Sequence, residues 1–458
     1  MKIVVLNGSP KGMTSVTMQY VRFLQKKFPQ HEFTLLHVAS ELRHLEDSPS
    51  AFQKTIDAVA EVEAVLWAFP LYVLLVHAHY KRFIELIGER QVQAAFQGKY
   101  AAVLTTSIRF FDHTAHNYVH GICDDLDMKY WGGYSAEMYD LLKDDEQKRF
   151  LRFAEDFFAA VAARTATSKV YPPVQRHPFD YVPGPPGGVI HARQWRTLVV
   201  TDAQARDANL NRMIDRFRAS FAEPPEVINL QQVKIRAGCM GCTQCGLDNV
   251  CVYRETDEIY EVYQRLMLAD VLVLAGSIRD RYLSSRWKLF FDRGFFNNHV
   301  PIFVNKQMGY LISGPLQQIP NLRTVLEAHT ELQRANLAGI VTDECVASQE
   351  LDQLVDGLAR RLVWCAQTGY IGPPTFHGVA GRKLFRDEIW GSLRFVFHAD
   401  HRYYKQHGLY DFPRRGLKQR LMTAAVTLLT KIPPFRKKFL KRIRTEMIKP
   451  LERIVDNS

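Results

Sequence analysis

Residues 2–11 read Lys-Ile-Val-Val-Leu-Asn-Gly-Ser-Pro-Lys, an apolar run that ends in a loop of small and polar residues. The run predicts a buried strand, and the helical periodicity of residues 17–28 predicts that a helix follows the loop. At the carboxyl edge of a parallel sheet, such a loop directs backbone N–H groups and the positive end of the helix dipole at one spot. Serine and threonine also cap helices that bind nothing. The pattern indicates a phosphate site with contacts from Ser9, Pro10, Lys11, Ser15 and Thr17.

Strands and helices alternate through residues 1–165, which we take as the first domain. Short apolar runs are typical of buried parallel strands, and the segments between them have helical periodicity. The predicted strands are 3–6, 33–37, 64–69, 101–104 and, more weakly, 130–134, and the predicted helices are 17–28, 50–59, 80–87 and 146–163. This alternation predicts a doubly wound α/β fold with a parallel sheet.

Two more loops are predicted at the same edge of this sheet. The third strand ends at Phe69-Pro70-Leu71-Tyr72, where proline stops the strand pairing, and the fourth strand leads into Thr105-Thr106-Ser107. Ligands of doubly wound sheets bind outside the carboxyl ends of the strands. A planar ring above a phosphate fits these loops, with contacts from Pro70, Leu71, Tyr72, Thr106 and Ser107.

A second copy of the pattern follows a linker. Residues 172–188 contain six prolines and three glycines, so we place a linker at 166–194. The apolar runs 197–200 and 270–275 then correspond to 3–6 and 64–69 at offsets of 194 and 206. Apolar patterns also coincide by chance, but the shared order favours a tandem duplication, with a second domain at 195–370.

Four of the seven cysteines lie within thirteen residues of the second domain, spaced C-x2-C-x2-C-x5-C. The run C-x2-C-x2-C is the one that bacterial [4Fe–4S] proteins use, and so short a loop suits the corners of a cubane better than one zinc ion. The fourth cysteine departs from the ferredoxin pattern, because Val252 follows it where proline is usual. The spacing favours a [4Fe–4S] cluster and leaves open zinc, a disulfide or an empty loop. The ligands would be Cys239, Cys242, Cys245 and Cys251.

The net charge of +11 resides in the C-terminal part of the chain. Residues 371–458 hold 19 basic and 7 acidic side chains, whereas the rest holds 40 and 41. We expect a basic helical extension there and no nucleic-acid partner for the body. The apolar stretch 421–430 lies between basic clusters, Arg414 and Arg415 among them. It suits a membrane interface, whereas the aromatic residues of the extension favour packing on the domains.

Other features of the sequence indicate the cellular compartment. With four of seven cysteines in one loop, the chain does not read as a secreted disulfide scaffold, and a reducing compartment is expected. The N-terminus starts at once as a strand, without the pattern of a signal peptide, and no run of 18 apolar residues predicts a spanning helix. These features predict a cytoplasmic protein, peripheral to a membrane if the tail binds one.

The chain resembles the flavodoxin-like NAD(P)H-dependent FMN reductases, and in particular the iron–sulfur flavoproteins among them. The loops 7–11 and 69–72 resemble the phosphate and isoalloxazine loops of that family, and the cysteine motif, with Asp257 and Glu258 after it, resembles its cluster motif. The resemblance implies two flavodoxin-like domains in this chain and an enzyme that passes electrons between NAD(P)H or a ferredoxin-like donor, FMN and a [4Fe–4S] cluster. Members of that family are usually one-domain chains that assemble as dimers or tetramers, in which the cluster of one subunit approaches the flavin of its neighbour. The resemblance therefore also raises the expectation of a homodimer for this chain.

The two copies divide the features of this family. The first copy has no cysteine between its second and third strands, and the second copy has Asp202, Ala203 and Ala205 where the first has Gly8, Ser9 and Lys11. A carboxylate at Asp202 would oppose a phosphate dianion. We therefore expect FMN in the first domain only and the cluster in the second only. The alternative is a second FMN held by Arg206, Asn209 and Asn211.

Three smaller patterns have plain structural explanations. The histidines at 113, 116 and 120 would share a helix face and could bind a metal, but the segment equally suits a capped helix beside a flavin. The run 279–282 could meet a nicotinamide cofactor or be solvated charge, and Cys345 and Cys365 suit core thiols. A second function class also stays open, a non-catalytic binding or regulatory module with a structural zinc site and a docking tail.

Overall fold

The computed structural model describes residues 1–413 and 416–456. Its first domain alternates strands and helices throughout, because strands such as residues 64–69 are apolar along their whole length and are buried on both faces. All five strands predicted here are present. Two helices add to the four predicted ones, a short helix at Leu42–Asp47 and a helix at Asp112–Asp125, where the histidine pattern suited a capped helix. The elements are β1 (Lys2–Asn7), α1 (Val16–Lys27), β2 (Glu32–Leu36), α2 (Leu42–Asp47), α3 (Pro49–Ala60), β3 (Ala64–Pro70), α4 (Ala78–Glu89), β4 (Tyr100–Ser107), α5 (Asp112–Asp125), β5 (Lys129–Glu137) and α6 (Asp144–Ala162).

The second domain repeats this order of elements. An irregular segment between β7 and α8 carries the cysteines and contains one short 3-10 turn at Gln244–Gly246. The elements are β6 (Thr197–Thr201), α7 (Ala208–Ala219), β7 (Glu226–Asn229), α8 (Ile259–Met267), β8 (Val271–Ser277), α9 (Ser285–Arg293), β9 (Gln307–Ser313), α10 (Pro320–Leu332), β10 (Asn336–Thr342) and α11 (Ser348–Thr368).

Both domains have the same sheet. The strand orders are β2-β1-β3-β4-β5 and β7-β6-β8-β9-β10, and every pairing within them is parallel. This order is that of flavodoxin-like folds, with its switch point between the first and third strands of each sheet. The chain therefore contains two tandem flavodoxin-like α/β domains, followed by a helical C-terminal region.

The two domains pack together through α4 and α9, which are equivalent helices. Asp292 on α9 accepts a hydrogen bond from the backbone N–H of Ala78 at the start of α4, at 2.7 Å. Glu85 on α4 accepts one from the backbone N–H of Ser285 at the start of α9, also at 2.7 Å. Each carboxylate also pairs with a buried lysine one turn earlier on its own helix. Ser285 follows Ala78, and Asp292 follows Glu85, by the same 207 positions, so each contact is the counterpart of the other. The interface therefore has the reciprocity of an isologous dimer.

The middle of the linker, around residues 181–185, is tied to the second domain. Tyr181 is fully buried, and its hydroxyl donates to Asp352 at 2.6 Å. The Arg216 guanidinium donates to the carbonyl oxygens of Gly184 and Pro185 at 2.7 and 2.8 Å. The Pro- and Gly-rich composition of the linker disfavours helices and strands, but these contacts hold this part of it in one conformation against the second domain.

The C-terminal region divides into two parts. It contains α12 (Phe376–Trp390), α13 (His398–Gln406), α14 (Leu417–Leu429) and α15 (Pro433–Asp456). Residues up to Tyr404 belong to the same compact unit as the two domains, and residues 405–458 form a second unit. The predicted packing of the extension thus holds for its first third. The predicted basic pair Arg414 and Arg415 lies outside the described residues, and among the described helices none is long and apolar enough to span a bilayer.

Candidate functional site

A cavity of about 360 Å³ lies at the carboxyl edge of the first sheet. One wall consists of the loops after β1, β3 and β4, which include eight of the ten predicted flavin contacts. The second domain and the segment around α12 supply the opposite walls, which are mainly aromatic. The walls include Ser9, Lys11, Ser15, Pro70, Leu71, Tyr72, Thr106 and Ser107 on one side and Phe291, Phe295, His299, Phe303, Phe385 and Phe397 on the other.

The loop after β1 directs polar groups into this cavity. Ser9 is buried, and its hydroxyl oxygen accepts a hydrogen bond from the backbone N–H of Lys11 at 3.3 Å. Ser15 caps α1, because its hydroxyl oxygen accepts from the N–H of Met18 at 3.2 Å. The other N–H groups of the first helical turn have no acceptor within the helix. Hydroxyls, an ammonium group and a helix N-terminus together fit a phosphate group.

Two of the predicted contacts lie behind the cavity wall. Thr17 is fully buried, and its hydroxyl oxygen lies 2.6 Å from that of Thr106. This hydrogen bond joins the start of α1 to the end of β4. Pro10 belongs to the loop but does not line the cavity. The geometry therefore gives Thr17 the part of a positioning residue.

The loops after β3 and β4 contain residues in a conformation that favours glycine. Val73 and Leu74 have φ of +35° and +65°, and Arg109 and Phe111 have φ of +56° and +63°. A positive φ is costly for a side chain with a Cβ, and most costly for a β-branched one. The Ser107 hydroxyl holds one of these loops by accepting from the N–H of Arg109 at 2.6 Å. Strained backbone on two loops around one cavity is typical of a functional site.

The cysteine loop, residues 238–251, is held against the first domain. The ring of His77 at the start of α4 lies 2.9 Å from the carbonyl oxygen of Cys239, through Nε2. The N–H of Gly238 donates to Nε2 of His79 at 3.3 Å. Burial lowers the pKa of both histidine rings, so both are neutral at neutral pH. Neutral imidazoles can serve as uncharged supports for the loop.

Gly241 brings this loop to the cavity itself. Its φ is +61°, and a Cβ at this position would collide with the Tyr72 hydroxyl and lie 2.9 Å from Cε of Lys11. Burial raises the pKa of Tyr72, and the nearby Cys239 thiol, the Asp292 carboxylate and the Cys242 thiol act in the same direction. The predicted isoalloxazine loop and the predicted cluster loop therefore meet at Tyr72.

The four thiols of the loop lie in one electrostatic neighbourhood. Burial, together with the smaller effects of the Cys239, Cys242 and Cys251 thiols, raises the pKa of Cys245 to about 12. The sulfur of Cys251 lies 3.5 Å from Nη2 of the Arg293 guanidinium. Within residues 1–413 and 416–456, no three His, Cys, Asp or Glu side chains are arranged to hold a metal ion.

The acidic pair after the motif supports the loop from behind. Asp257 is buried and pairs with the Arg293 guanidinium, at 3.1 Å between Oδ1 and Nη2. Nη1 of the same guanidinium donates to the carbonyl oxygen of Ala237 at 2.8 Å. Glu258 accepts from the N–H of Lys234 at 2.8 Å. Both carboxylates therefore fix the backbone that enters the loop.

A histidine–aspartate pair faces the cavity from the side opposite the phosphate loop. The ring of His299 lines the cavity, and its Nδ1 lies 2.8 Å from Oδ2 of Asp400. The same carboxylate oxygen accepts from the backbone N–H of His299 at 3.1 Å. Asp400 is fully buried on α13. The sequence analysis missed this pair, because its members are 101 positions apart and no local pattern connects them.

The equivalent edge of the second sheet is arranged differently. A polar cavity of about 580 Å³ is lined there by linker residues as well as by Arg206 and Asn209. The Asn209 amide donates to the carbonyl oxygen of Phe179 at 2.7 Å and accepts from the N–H of Tyr181 at 3.0 Å. The Asn211 amide donates to the carbonyl oxygen of Gln204. Two of the three residues proposed for a second FMN are thus bonded to the chain itself.

Asp202 occupies the position of Gly8 but does not reach the second cavity. It is buried, and its carboxylate accepts a hydrogen bond from the Ser284 hydroxyl. Burial raises the pKa of Asp202 to about 6. The carboxylate expected to oppose a phosphate therefore points into the domain. It occupies the position that Gly8 has in the open loop of the first domain.

The predicted histidine face carries three separate contacts. His116 Nε2 lies 2.8 Å from the Thr105 hydroxyl, and the His120 ring stacks on Tyr130 at 3.8 Å between centroids. His113 lies beside Phe111. The three rings therefore have different partners, and they do not come together as a metal site.

The charged run after β8 joins the two domains. Asp280 accepts from the Lys81 ammonium at 3.0 Å, and Arg281 pairs with Asp125 of the first domain at 2.7 Å. Arg279 pairs with Asp207 at 2.7 Å. Most of these charges therefore hold the interface, which neither proposed explanation of the run anticipated. Cys345 and Cys365 are buried, as expected for core thiols.

Comparison with known proteins reveals one family. Residues 1–137 match the family model described as NADPH-dependent FMN reductase, which is less than a third of the chain. The first domain is therefore similar to NADPH-dependent FMN reductases. No curated protein matches the chain.

Solved structures resemble one domain of the chain at low identity. They include the apo form of the NADH:FMN oxidoreductase EMOB, with 18% identity over 35% of this chain and 89% of that chain and a TM-score of 0.30. The flavoenzyme FerB, an NAD(P)H:(acceptor) oxidoreductase from Paracoccus denitrificans, has 20% identity over 35% of this chain and 97% of that chain and a TM-score of 0.30. General stress protein 14 from Treponema denticola, in complex with FMN, has 14% identity over 35% and 98% and a TM-score of 0.26.

Proposed function

We propose that this chain is an NAD(P)H-dependent oxidoreductase with FMN in the first domain and a [4Fe–4S] cluster in the second. The observation that carries the proposal is the contact at Gly241, where the cysteine loop closes the cavity formed by the phosphate and isoalloxazine loops. The family match of residues 1–137 supports the flavin half of the proposal. When bound, FMN exchanges two electrons together and a cluster exchanges one, so the pair would convert between the two modes.

The residues around the first cavity fit FMN. Ser9, Lys11 and Ser15 would hold the phosphate with the N-terminus of α1, and the loops around Leu71 and Ser107 would contact the ring. The aromatic walls from the second domain exclude water from the ring face. The division of the flavin and cluster sites also agrees with the linker contacts that occupy Asn209 at the second edge.

The donor set of the cysteine loop suits a cluster of several metal atoms. In a cubane each thiolate binds a different iron, so the sulfurs stand farther apart than around a single ion. Four thiols that influence one another electrostatically, beside the cation of Arg293, support such a site, with Cys239, Cys242, Cys245 and Cys251 as ligands. The reciprocal α4–α9 contact supports the idea that the chain is a fused form of the two-subunit arrangement in the family it resembles.

The His299–Asp400 pair supports proton delivery in this reaction. The Asp400 carboxylate lies 2.8 Å from Nδ1 of His299, so it can hold the ring in one orientation. We infer that His299 donates a proton from Nε2 to an acceptor that takes up a hydride in the aromatic part of the cavity. As electron donors we propose NAD(P)H or a ferredoxin-like protein, and as compartment the cytoplasm. A homodimer of the whole chain stays a prediction.

Anaerobic purification with cofactor analysis tests the main proposal. We expect one FMN, four irons and four labile sulfides per chain. Two FMN per chain would contradict the division of labour, and flavin without iron would reduce the proposal to its FMN half. Zinc without flavin would favour the alternative of a non-catalytic binding module.

A further inference from the structure

The second compact unit, residues 405–458, combines two properties that a soluble surface rarely shows together. It contains 14 basic and 4 acidic residues, so this ninth of the chain holds nearly all of its net charge of +11. It also exposes large apolar side chains along both of its helices. On α14 these include Leu421, Met422, Leu428 and Leu429, and on α15 they include Leu440, Ile448, Leu451, Ile454 and Val455.

The exposure on α14 is complete over most of its length. Every side chain from residue 420 to residue 429 is exposed, including five large apolar ones. An apolar helix in a globular protein is normally buried. Basic residues, among them Arg420 and Lys431, stand at both ends of this helix.

The sequence of α15 is amphipathic along its 24 residues. Apolar residues recur at 435, 439, 440, 443, 447, 448, 451, 454 and 455, a spacing that places most of them along one side of a helix. Basic residues at 436–438, 441 and 442 fall between them. The helix is too polar to cross a bilayer, but this pattern is typical of helices that lie in the plane of an interface.

We propose that α14 and α15 bind the surface of an anionic lipid bilayer, with their apolar sides at the boundary of the acyl chains and their lysines and arginines at the headgroups. Charge complementarity favours an anionic bilayer as the partner, because anionic lipids attract clustered basic residues next to an inserted apolar face. A nucleic-acid surface would need the same charge but would gain little from exposed leucines. This inference is independent of the cofactors, because it concerns residues outside both candidate sites.

Vesicle flotation of the full-length protein tests the proposal. The probes are vesicles of phosphatidylcholine alone and vesicles that also contain phosphatidylglycerol. We expect the protein to float with the anionic vesicles and to remain in solution with the neutral ones. Leu451→Asp should weaken this partition roughly tenfold, since it places a charge on the inserted side. Lys437→Glu with Lys441→Glu should weaken it by at least roughly tenfold, because each basic residue contributes about 1 kcal/mol near an anionic surface.

The matched control is Leu142→Asp, which makes the same change at an exposed leucine of the first domain. It should leave partition unchanged, and circular dichroism of all variants checks that they fold. Equal flotation of the Leu451→Asp variant and the unmodified chain would overturn the proposal. So would failure to float combined with a salt-sensitive shift of duplex DNA, which would mark the unit as a nucleic-acid surface.

Discussion

The two sheets have the same strand order, but different residues occupy their carboxyl edges. In the first domain the loop after β1 is open to a cavity, and its hydroxyls and lysine face that cavity. In the second domain the carboxylate of Asp202 is buried against Ser284, and linker residues line the polar cavity at this edge and bond Asn209. The cysteine loop of the second domain, between β7 and α8, lies instead at the opposite side of the first cavity, which Gly241 and Thr243 line.

This difference shows how a fused pair of domains can specialise. One copy needs small residues at the strand end, because Gly8 lies against the ring of Tyr80 and the side chain of Phe69. In the other copy Asp202 stands at the equivalent position and accepts from the Ser284 hydroxyl, and the linker contacts Asn209 at the same edge. The reciprocal α4–α9 contact keeps the two specialised faces together.

The largest expected effect comes from filling the open edge. In Gly8→Val, the new Cβ would lie 2.7 Å from the ring of Tyr80 and 2.8 Å from Cβ of Phe69. We expect FMN affinity to fall by up to about 100-fold, since overpacking of this size costs up to about 3 kcal/mol and shifts the loop. Fluorescence titration of the apoprotein with FMN measures it, with a thermal unfolding scan to check the fold.

The matched control is Asp202→Gly, which opens the equivalent position of the second domain. We expect one FMN per chain with unchanged affinity, because the linker contacts of Asn209 remain. Binding of a second FMN by this variant would break the comparison.

Removal of one thiol should separate the two cofactors. In Cys242→Ser we expect iron to fall from four per chain to below about one, because a cluster that loses one of its four thiolates becomes labile. The FMN content should stay at one. Iron analysis and the visible spectrum after anaerobic purification measure both. Cys345→Ser, at a buried thiol outside the loop, should retain all iron; equal loss in the two variants would place the iron elsewhere.

Acid should destabilise both domains through buried neutral histidines. Burial lowers the pKa of His116 in the first domain and of His329 in the second to about 4. Because the unfolded chain binds these protons near pH 6.5 and the folded chain does not, stability falls as pH drops from 6.5 towards 4. Each ring accounts for up to about 3 kcal/mol over this window. Urea unfolding at several pH values measures the fall.

His329→Leu sharpens this prediction for the second domain alone. In the variant, the decrease in the free energy of unfolding between pH 6.5 and 4 should be smaller by the contribution of His329, up to about 3 kcal/mol. The contribution of His116 should be unchanged. Identical pH dependence in the variant and the unmodified chain would show that His329 is protonated without cost.

The smallest effect concerns the proton donor. His299→Gln should lower turnover with a quinone, which takes up protons on reduction, about tenfold at neutral pH, and should flatten the pH profile. Reduction of ferricyanide, which takes up no proton, should stay unchanged. Asp400→Asn should give a smaller loss of the same kind, and His377→Gln, at a ring outside the cavity wall, should give none. Equal losses with both acceptors would assign His299 a structural role.

Most of the first domain was predictable, because its signals are local. The apolar runs of β1, β3 and β4 are continuous, and eight of the ten predicted contacts after them line one cavity. Thr17 was placed in the wall rather than behind it, because hydrogen bonding to Thr106 depends on a strand 89 positions away. The aromatic wall around Phe295 and the carboxylate of Asp400 were not predictable, since they come from the second domain and α13.

The sequence by itself determined the two repeats of strands and helices, the polar loop after β1 and the four cysteines, because each of these depends on neighbours along the chain. Only the tertiary structure decided that the loop with Gly241 closes over Tyr72 and that the linker covers the second edge. The physical reason is that these contacts depend on how α4 meets α9. The packing of these helices depends on buried ion pairs and backbone caps between residues about 200 positions apart, which no local periodicity of the sequence can predict.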